Sequence, residues 1–176
     1  VDWSPLAALT DPQAIAAAAA PLLVSETFTA STTYDALNRP MILTMPDNSV
    51  IRPTYNEANL LEKLDVQVRG AASWTPFVTN IDFNAKGQRV LIEYANGSRT
   101  TYSYDPETFR LENLTTTRTS GSAQLQALSY TYDPVGNIVE IDDNAQQTIY
   151  FQNTVVSPGA QYVYDALYRL IQANGR

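Results

Sequence analysis

The stretch that decides the fold runs from Leu128 to Asn144 and reads LSYTYDPVGNIVEIDDN. Its aromatic residues Tyr130 and Tyr132 are two positions apart, so on a β-strand both rings point to the same face of a sheet. Asp133 and the proline after it favour a turn, and Gly136 can adopt the positive φ that tight turns need. An apolar run, Ile-Val-Glu-Ile, follows, and the stretch therefore predicts a β-hairpin.

The pattern of an aromatic residue followed by Asp or Asn recurs along the chain. The six pairs are Tyr34-Asp35, Tyr55-Asn56, Phe83-Asn84, Tyr104-Asp105, Tyr132-Asp133 and Tyr164-Asp165. Among the first five pairs, every second one is 49 residues further along, which is the signature of a repeat array. Asp143-Asn144, followed by Phe151, suggests a seventh unit that has lost its tyrosine.

The turn of each unit has its own chemistry. The fourth residues after the six aromatics are Asn38, Asn59, Gly87, Thr108, Gly136 and Tyr168. Four of these six are Gly or Asn, so we expect a left-handed backbone conformation at this position. Arginines occur just after four turns, at Arg39, Arg89, Arg110 and Arg169. We expect them to cap the sheet face or to pair with the turn aspartate, rather than to bind a ligand.

Residues 1–30 differ from the remainder because they are rich in alanine. Asp11 and Pro12 suit the start of a helix, and Pro21 would end it. We therefore divide the chain into a short helix or linker over 1–30 and hairpin repeats over 31–176. Because single hairpins are marginal in water and tandem hairpins can pair laterally, the repeats predict an all-β strip of consecutive antiparallel hairpins, spiral or twisted.

The residue inventory excludes several function classes. The chain has no cysteine and no histidine, so thiolate chemistry, histidine-based acid-base catalysis and the commonest metal ligand are ruled out. A net charge of -7 argues against nucleic acid as a partner. The longest apolar stretch, Ala14 to Val24, is shorter than the ~20 residues that span a bilayer, and we expect no membrane insertion by this segment.

No motif for chemistry stands out from the sequence. The adjacent carboxylates of Asp142 and Asp143 would point to opposite faces of a strand, which makes a poor acid-base pair. The spacing of a calcium loop is missing. We therefore expect no enzyme activity, no cofactor and no metal.

Three stretches carry a family resemblance, and they are Tyr34 to Arg39 (YDALNR), Tyr132 to Asn137 (YDPVGN) and Tyr164 to Leu170 (YDALYRL). They resemble the YD repeats of RHS proteins, which occur in bacterial polymorphic and insecticidal toxin-complex systems. The resemblance covers about residues 31–176. It implies β-hairpins that wind as a spiral strip into a hollow shell, and a C-terminal toxic segment enclosed by that shell. We find neither an aspartyl self-cleavage core nor a toxin domain, so those functions would belong to other parts of the parent.

The resemblance also sets expectations for partners and location. The expected partners are the rest of the parent chain with its C-terminal effector, and a companion shell subunit. A second copy of this segment, joined through the open sides of the outermost strands, is also expected. The parent is expected to be secreted or on the surface of a bacterium, although no signal peptide is visible in this segment.

A second function from a different class remains open. Aligned tyrosine rings can stack on sugars, so a cell-surface carbohydrate-binding module is the alternative to a structural segment. The candidate glycan-facing residues are Tyr102, Tyr104, Tyr130 and Tyr132. If the segment is structural, we expect these rings to pack against their neighbours within the sheet.

Overall fold

The computed structural model describes residues 2–118 and 123–175. Twelve strands form one antiparallel sheet in which neighbours follow the order of the chain, and two further strands form a separate hairpin. The sheet strands are β1 (Ser31–Tyr34), β2 (Pro40–Thr44), β3 (Val50–Tyr55), β4 (Leu61–Gln67), β5 (Thr75–Phe83), β6 (Arg89–Tyr94), β7 (Ser98–Tyr104), β8 (Leu111–Arg118), β9 (Gln124–Tyr132), β10 (Ile138–Asp143), β13 (Ala160–Tyr164) and β14 (Leu170–Gly175). The separate hairpin consists of β11 (Ile149–Phe151) and β12 (Thr154–Val156). The predicted all-β strip of consecutive hairpins is confirmed.

The Ala-rich segment contains one short α-helix, α1 (Pro12–Ala19). The carboxylate of Asp11 accepts the backbone N–H of Ala14 at 2.7 Å, and Pro12 occupies the first turn, where its missing N–H costs nothing. A 3-10 turn that contains Pro21 follows. The predicted short helix is thus present, and the division of the chain at residue 30 stays a prediction. Further 3-10 turns span Ser4–Leu6 and Val68–Gly70.

No helix in the part of the chain that the structure describes is long and apolar enough to span a membrane.

Because successive strands are antiparallel neighbours, the turns that join them lie in two rows, one at each end of the strands. We call each row of turns an edge, as distinct from the outermost strands. The Tyr-Asp edge, as we name it, carries the six predicted turns, at residues 35–39, 56–60, 84–88, 105–110, 133–137 and 165–169. The opposite edge carries the remaining connections, of which 45–49, 68–74, 95–97 and 144–159 are described. The outermost strands, β1 and β14, have unpaired sides.

A register shift accompanies every turn of the Tyr-Asp edge. In each of the six hairpins the pairing slips by one residue next to the signature aromatic, as between Ser103 and Tyr104 or between Thr54 and Tyr55. A bulge of this kind bends the strand and increases its twist. A bulge therefore accompanies every signature aromatic, and further register shifts occur between Leu64 and Asp65, between Val78 and Asn80, and between Thr116 and Thr117.

The two faces of the sheet differ in chemistry. One, the aromatic face, carries residues that the register places opposite or two apart from one another, and they include Ile51, Val66, Ile81, Ile92, Tyr94, Tyr102, Tyr104, Leu114, Leu128, Tyr130, Tyr132, Ile141, Tyr162 and Tyr164. The other, the polar face, includes Arg52, Asp65, Glu93, Arg99, Thr101, Thr115, Ser129, Glu140, Asp142 and Gln161.

The sheet is a single layer among the described residues, and few side chains are buried. The buried apolar side chains are those of Val66, Ile81, Ile92 and Ala127. Thr100, on the aromatic face, is also buried and its hydroxyl lies 2.8 Å from that of Thr116 on the next strand. Stability therefore comes from lateral pairing and from cross-strand contacts rather than from a sandwiched core.

The expected seventh unit does not form a strand pair of the main sheet. The turn that Asp143 begins is present, because its carboxylate accepts the N–H of Ala145 at 3.1 Å. The chain then leaves the sheet, and Phe151 lies on the β11–β12 hairpin, while β10 pairs directly with β13. The alternation of apolar residues around Phe151 fits a strand of a separate hairpin as well as a strand of a repeat unit. The sequence alone therefore could not distinguish a separate hairpin from a seventh repeat unit.

Candidate functional site: the Tyr-Asp edge

In all six turns of the Tyr-Asp edge, the side-chain oxygen of the first residue accepts backbone N–H groups of the same turn. Four turns, which begin at Asp35, Asn56, Asn84 and Asp165, use the second and fourth residues after it as donors. In the first turn the N–H of Asp35 donates to the carbonyl of Arg39 at 3.0 Å. The carboxylate of Asp35 accepts the N–H groups of Leu37 and Arg39 at 2.8 and 2.9 Å. Where the chain has asparagine instead, at Asn56 and Asn84, the side-chain oxygen accepts two backbone N–H groups in the same way. The side chain thus replaces the ladder at the point where the strand reverses.

A residue with positive φ closes each turn. The angle is positive at Asn38, Asn59, Gly87, Gly136 and Tyr168, which confirms the prediction in five of six turns. In the fourth turn the positive φ falls on Phe109, not on Thr108. That turn is one residue longer, because the N–H of Asp105 donates to the carbonyl of Arg110. Counting forward from the aromatic therefore gave the wrong residue there.

The signature tyrosines connect each unit to the one before it. The hydroxyls of Tyr55, Tyr104, Tyr132 and Tyr164 donate to backbone carbonyls at 2.8 to 3.0 Å. The acceptors are Pro40, Arg89, Leu111 and Ile138, each at the start of the preceding strand in the sheet. The same bond cannot form at Phe83, which has no hydroxyl.

Side chains that follow the turns connect neighbouring turns laterally. The guanidinium of Arg39 pairs with Asp35 at 2.7 Å, reaches Asn59 of the next turn at 2.7 Å, and lies 4.7 Å from the ring centre of Tyr55. The amide of Gln88 donates to the carbonyl of Phe109 at 2.8 Å.

Arg110 makes the corresponding link further along the edge. Its guanidinium donates to the carbonyl of Asp133 at 3.0 Å and lies 5.6 Å from the ring centre of Tyr132. The structure describes three such turn-to-turn links, and each joins a side chain of one turn to a residue of the next turn, about twenty positions away in sequence.

The electrostatics of the edge follow from these bonds. The backbone N–H of Arg39 lowers the pKa of Asp35, and the N–H and side chain of Arg169 do the same for Asp165. Burial raises the pKa of the Tyr104 phenol, although the charge of Arg89 opposes this. The aspartates therefore stay ionised and act as acceptors, and the tyrosines stay protonated and act as donors.

The chain is similar to known proteins in both sequence and structure. No family model matches the chain. It is 37% identical over 159 residues to the toxin subunit YenC1 of Yersinia entomophaga and 34% identical to the toxin subunit YenC2, a match that covers 88% of this chain and 16% of each relative. The solved TcdB2-TccC3 structure superposes with a TM-score of 0.71 at 32% identity, over 96% of this chain and 8% of that one. The chain is an RHS/YD-repeat segment.

This RHS/YD-repeat segment spans 16% of the length of the curated relatives that it matches. Its similarity to toxin subunits extends beyond the short motifs, since 96% of the segment superposes on the toxin-complex structure. The segment is thus similar, over most of its length, to one part of much longer toxin subunits.

The structure brings most of the predicted signature residues of the RHS/YD repeat together along one edge. Arg39 and Arg169 pair with the turn aspartates, as expected, at 2.7 Å in both cases. Arg110 instead reaches the next turn, and Arg89 lies 5.8 Å from the ring centre of Tyr102. Sequence analysis missed Gln88, whose partner lies in the following unit.

The predicted glycan-facing tyrosines of the RHS/YD-repeat segment lie on the aromatic face. All four, Tyr102, Tyr104, Tyr130 and Tyr132, are half-buried, and burial raises the pKa of each. The hydroxyls of Tyr104 and Tyr132 already donate to backbone carbonyls. The rings pack beside their neighbours on one layer and are not enclosed between two layers. Their role in sugar binding stays a prediction.

Among residues 2–118 and 123–175, no group of three or more His, Cys, Asp or Glu side chains is placed to hold a metal ion. The carboxylates of Asp142 and Asp143 do not act together: Asp143 accepts the N–H of Ala127 at 2.9 Å, while Asp142 lies on the polar face opposite Ser129.

Proposed function

We propose that this segment is a stretch of wall in a β-shell that encloses a C-terminal effector of the parent toxin-complex protein. The observation that carries the proposal is the uninterrupted order of twelve laterally paired strands with a bulge beside every signature aromatic. In a strip of this kind each strand is hydrogen-bonded to its neighbours and the bulges bend and twist the strands, as a closed wall needs.

Both outer strands support the idea that the wall extends beyond this segment. The residues of β1 and β14 are exposed, and each strand has one unpaired side. In the parent those sides would pair with the preceding and following repeats, since unpaired strand sides otherwise recruit other chains. In isolation the same sides would favour a homodimer.

The wall acts sterically and needs no reaction centre, so we assign the segment no enzyme activity. Its partners in the proposal are the rest of the parent chain, the effector and a companion shell subunit. The segment is similar to the solved structure of TcdB2-TccC3, a pair of toxin components, and this similarity supports a companion subunit. The toxin relatives support secretion of the parent from a bacterium.

A proline scan of the full-length parent, bound to its companion subunit, tests the proposal. Thr116→Pro removes a backbone donor in the middle of the sheet, where β8 pairs with both β7 and β9. We expect the effector region to become sensitive to protease. The matched control is Ala166→Pro, because Pro106 and Pro134 already occupy that turn position in other units.

Two outcomes would contradict the wall. One is an effector that is digested equally fast in the unaltered parent and in the Thr116→Pro variant. The other is saturable sugar binding, lost in a Tyr102→Ala and Tyr130→Ala double variant, by a parent whose effector is not protected from protease, which would favour the carbohydrate-binding alternative.

A further inference from the structure

The β11–β12 hairpin is apolar on both of its faces. Pairing places Ile149 opposite Val156 and Tyr150 opposite Val155, so Tyr150 and Val155 share one face, with Phe151 on the other. The side chains of Tyr150, Phe151 and Val155 are 69%, 61% and 67% exposed. A hairpin that lies in solvent normally presents polar residues on at least one face, and two strands alone are marginally stable.

A cleft of about 300 Å³ separates this hairpin from the sheet. Val155 and Val156 line it on the hairpin side, and Glu140 and Gln161 line it on the sheet side. Its remaining wall includes Gly175, the last residue of β14. The end of β14 therefore forms part of the wall of the cleft.

Two neighbouring connections on the opposite edge contact each other. The N–H of Gly70 donates to the carbonyl of Asn48 at 2.9 Å, and the N–H of Arg69 donates to the hydroxyl of Ser49 at 3.0 Å. These residues belong to the connections 68–74 and 45–49. The hairpin lies in the connection 144–159, and the next connection on the same edge is the one that would follow β14.

We infer that the β11–β12 hairpin is a docking surface for the parent's own segment directly after β14, which leads from this edge into the next repeat strand. This inference rests on the proposed function, since it requires the sheet to continue past β14. The relatives are much longer than the segment, which covers 16% of their length. Docking would cover the apolar side chains and fill the cleft from the Gly175 side.

Site-specific photocrosslinking in the full-length parent tests the inference. A benzophenone amino acid replaces Val155, and mass spectrometry maps the adduct after irradiation. We expect adducts within the first residues that follow Arg176. Adducts only with distant repeats, with the effector, with an added companion subunit or with a second copy would each overturn the inference, as would no adduct at all.

A matched crosslinker at Ile171 separates this inference from the wall. Ile171 lies on β14 and is exposed, so a continuing sheet predicts adducts with the following strand. If Ile171 crosslinks to that strand and Val155 does not crosslink near it, the hairpin inference fails and the wall stands. If neither position crosslinks there, both fail.

Hydrogen exchange gives a second readout on the same parent chain. A Phe151→Ser and Val155→Ser double variant should speed exchange of the backbone amides just after Arg176 by about tenfold or more, because their cover is weakened. Leu37→Ser and Leu167→Ser form the matched control: both side chains are equally exposed but lie on the Tyr-Asp edge. Equal exchange in the two double variants would overturn the inference.

Discussion

The two edges of the sheet differ in how much variation they contain. On the Tyr-Asp edge, five of six turns close between residues four apart, and the sixth is longer by one residue. On the opposite edge the described connections range from the short turn at 95–97 to the sixteen-residue span 144–159, which holds a hairpin of its own. The difference shows that turn length is nearly constant on the Tyr-Asp edge and varies widely on the opposite edge.

The cause of this difference is the network that each turn of the Tyr-Asp edge must satisfy. A turn side chain caps its own backbone, a tyrosine reaches the preceding strand, and a following side chain reaches the next turn. Turn length varies little within this network: the one longer turn adds a single residue and keeps both its tyrosine bond and its link to the next turn. The opposite edge has capped turns as well, such as Asp47 with Ser49, but it accommodates an inserted hairpin without loss of the strand order.

The largest loss of stability is expected for a substitution at Gly136, which lies in a turn of the Tyr-Asp edge. Its φ is +106°, and an added Cβ would lie 2.9 Å from the Nη2 atom of Arg110. Gly136→Val should therefore lower the free energy of unfolding by about 2–3 kcal/mol, from backbone strain and from displacement of the arginine. Denaturant unfolding monitored by circular dichroism measures this loss.

Gly87→Ala is the control for that substitution. Gly87 also has a positive φ, but an added Cβ would meet only Leu60 Cδ1, at 3.9 Å. We expect a loss of about 1 kcal/mol from the backbone alone. If Gly136→Val costs no more than Gly87→Ala, the arginine link between turns does not contribute to stability.

The tyrosine hydroxyls give the next effect. Tyr132→Phe removes the donor to the carbonyl of Leu111 and should cost about 1 kcal/mol in unfolding free energy. Phe83→Tyr is the reverse change, since it supplies the hydroxyl that the third unit lacks, and it should stabilise the chain by a similar or smaller amount. Thermal or denaturant unfolding of both variants measures these shifts.

Tyr34→Phe in this segment serves as the control because Tyr34 lies on β1, the first strand of the sheet among residues 2–118 and 123–175, so no preceding strand there offers it a carbonyl. The expected change is within about 0.3 kcal/mol. Equal losses for Tyr34→Phe and Tyr132→Phe would mean that the hydroxyl bond is not what connects the units.

Much of this edge could be predicted from the sequence because its chemistry is local. The alternation before Tyr104 and Tyr132, the turn aspartates and the small residues at Gly87 and Gly136 act within a few positions of one another. The error at Thr108 has the same origin: the spacing was counted from Tyr104, and one inserted residue moved the positive φ to Phe109.

The lateral contacts could not be predicted in the same way. Arg39 and Asn59 are twenty residues apart, and whether they meet depends on the register of the intervening strands, which a bulge shifts by one residue in each hairpin. The β11–β12 hairpin was also beyond the sequence, because its apolar alternation resembles that of a repeat strand.

The acid sensitivity of the Tyr-Asp edge gives a smaller effect. The pKa of Asp165 is lowered from its ordinary 3.8, first by the backbone N–H of Arg169. Because the folded pKa is the lower one, its stabilisation is present above pH 3.8 and is lost as the pH falls through the folded pKa. Asp165→Asn should keep the turn, as Asn56 and Asn84 do, and should flatten the decline of the unfolding midpoint below about pH 4.

The measurement is a series of denaturant midpoints between about pH 6 and pH 2.5 for both chains. The side chain of Arg169 is 73% exposed, so its ion pair should add little, and Arg169→Gln should leave most of the pH dependence in place. A flat profile for Arg169→Gln would show that the ion pair, and not the backbone N–H groups, holds the carboxylate ionised.

The smallest effect is expected on the opposite edge, at the inserted hairpin. Phe151 is 61% exposed and contributes to a two-stranded unit outside the main sheet, so Phe151→Ser in this 176-residue segment should change the unfolding free energy by no more than about 0.5 kcal/mol. Phe83→Ser, on the Tyr-Asp edge, is the matched substitution and should cost about 2 kcal/mol or more, since it removes a half-buried ring beside a bulge. Equal losses from denaturant unfolding would mean that the inserted hairpin supports the sheet as strongly as a repeat unit does. A much smaller loss for Phe151→Ser would show that the apolar side chain of the inserted hairpin adds little to the stability of the segment. Its role would then be a contact that only the longer parent provides.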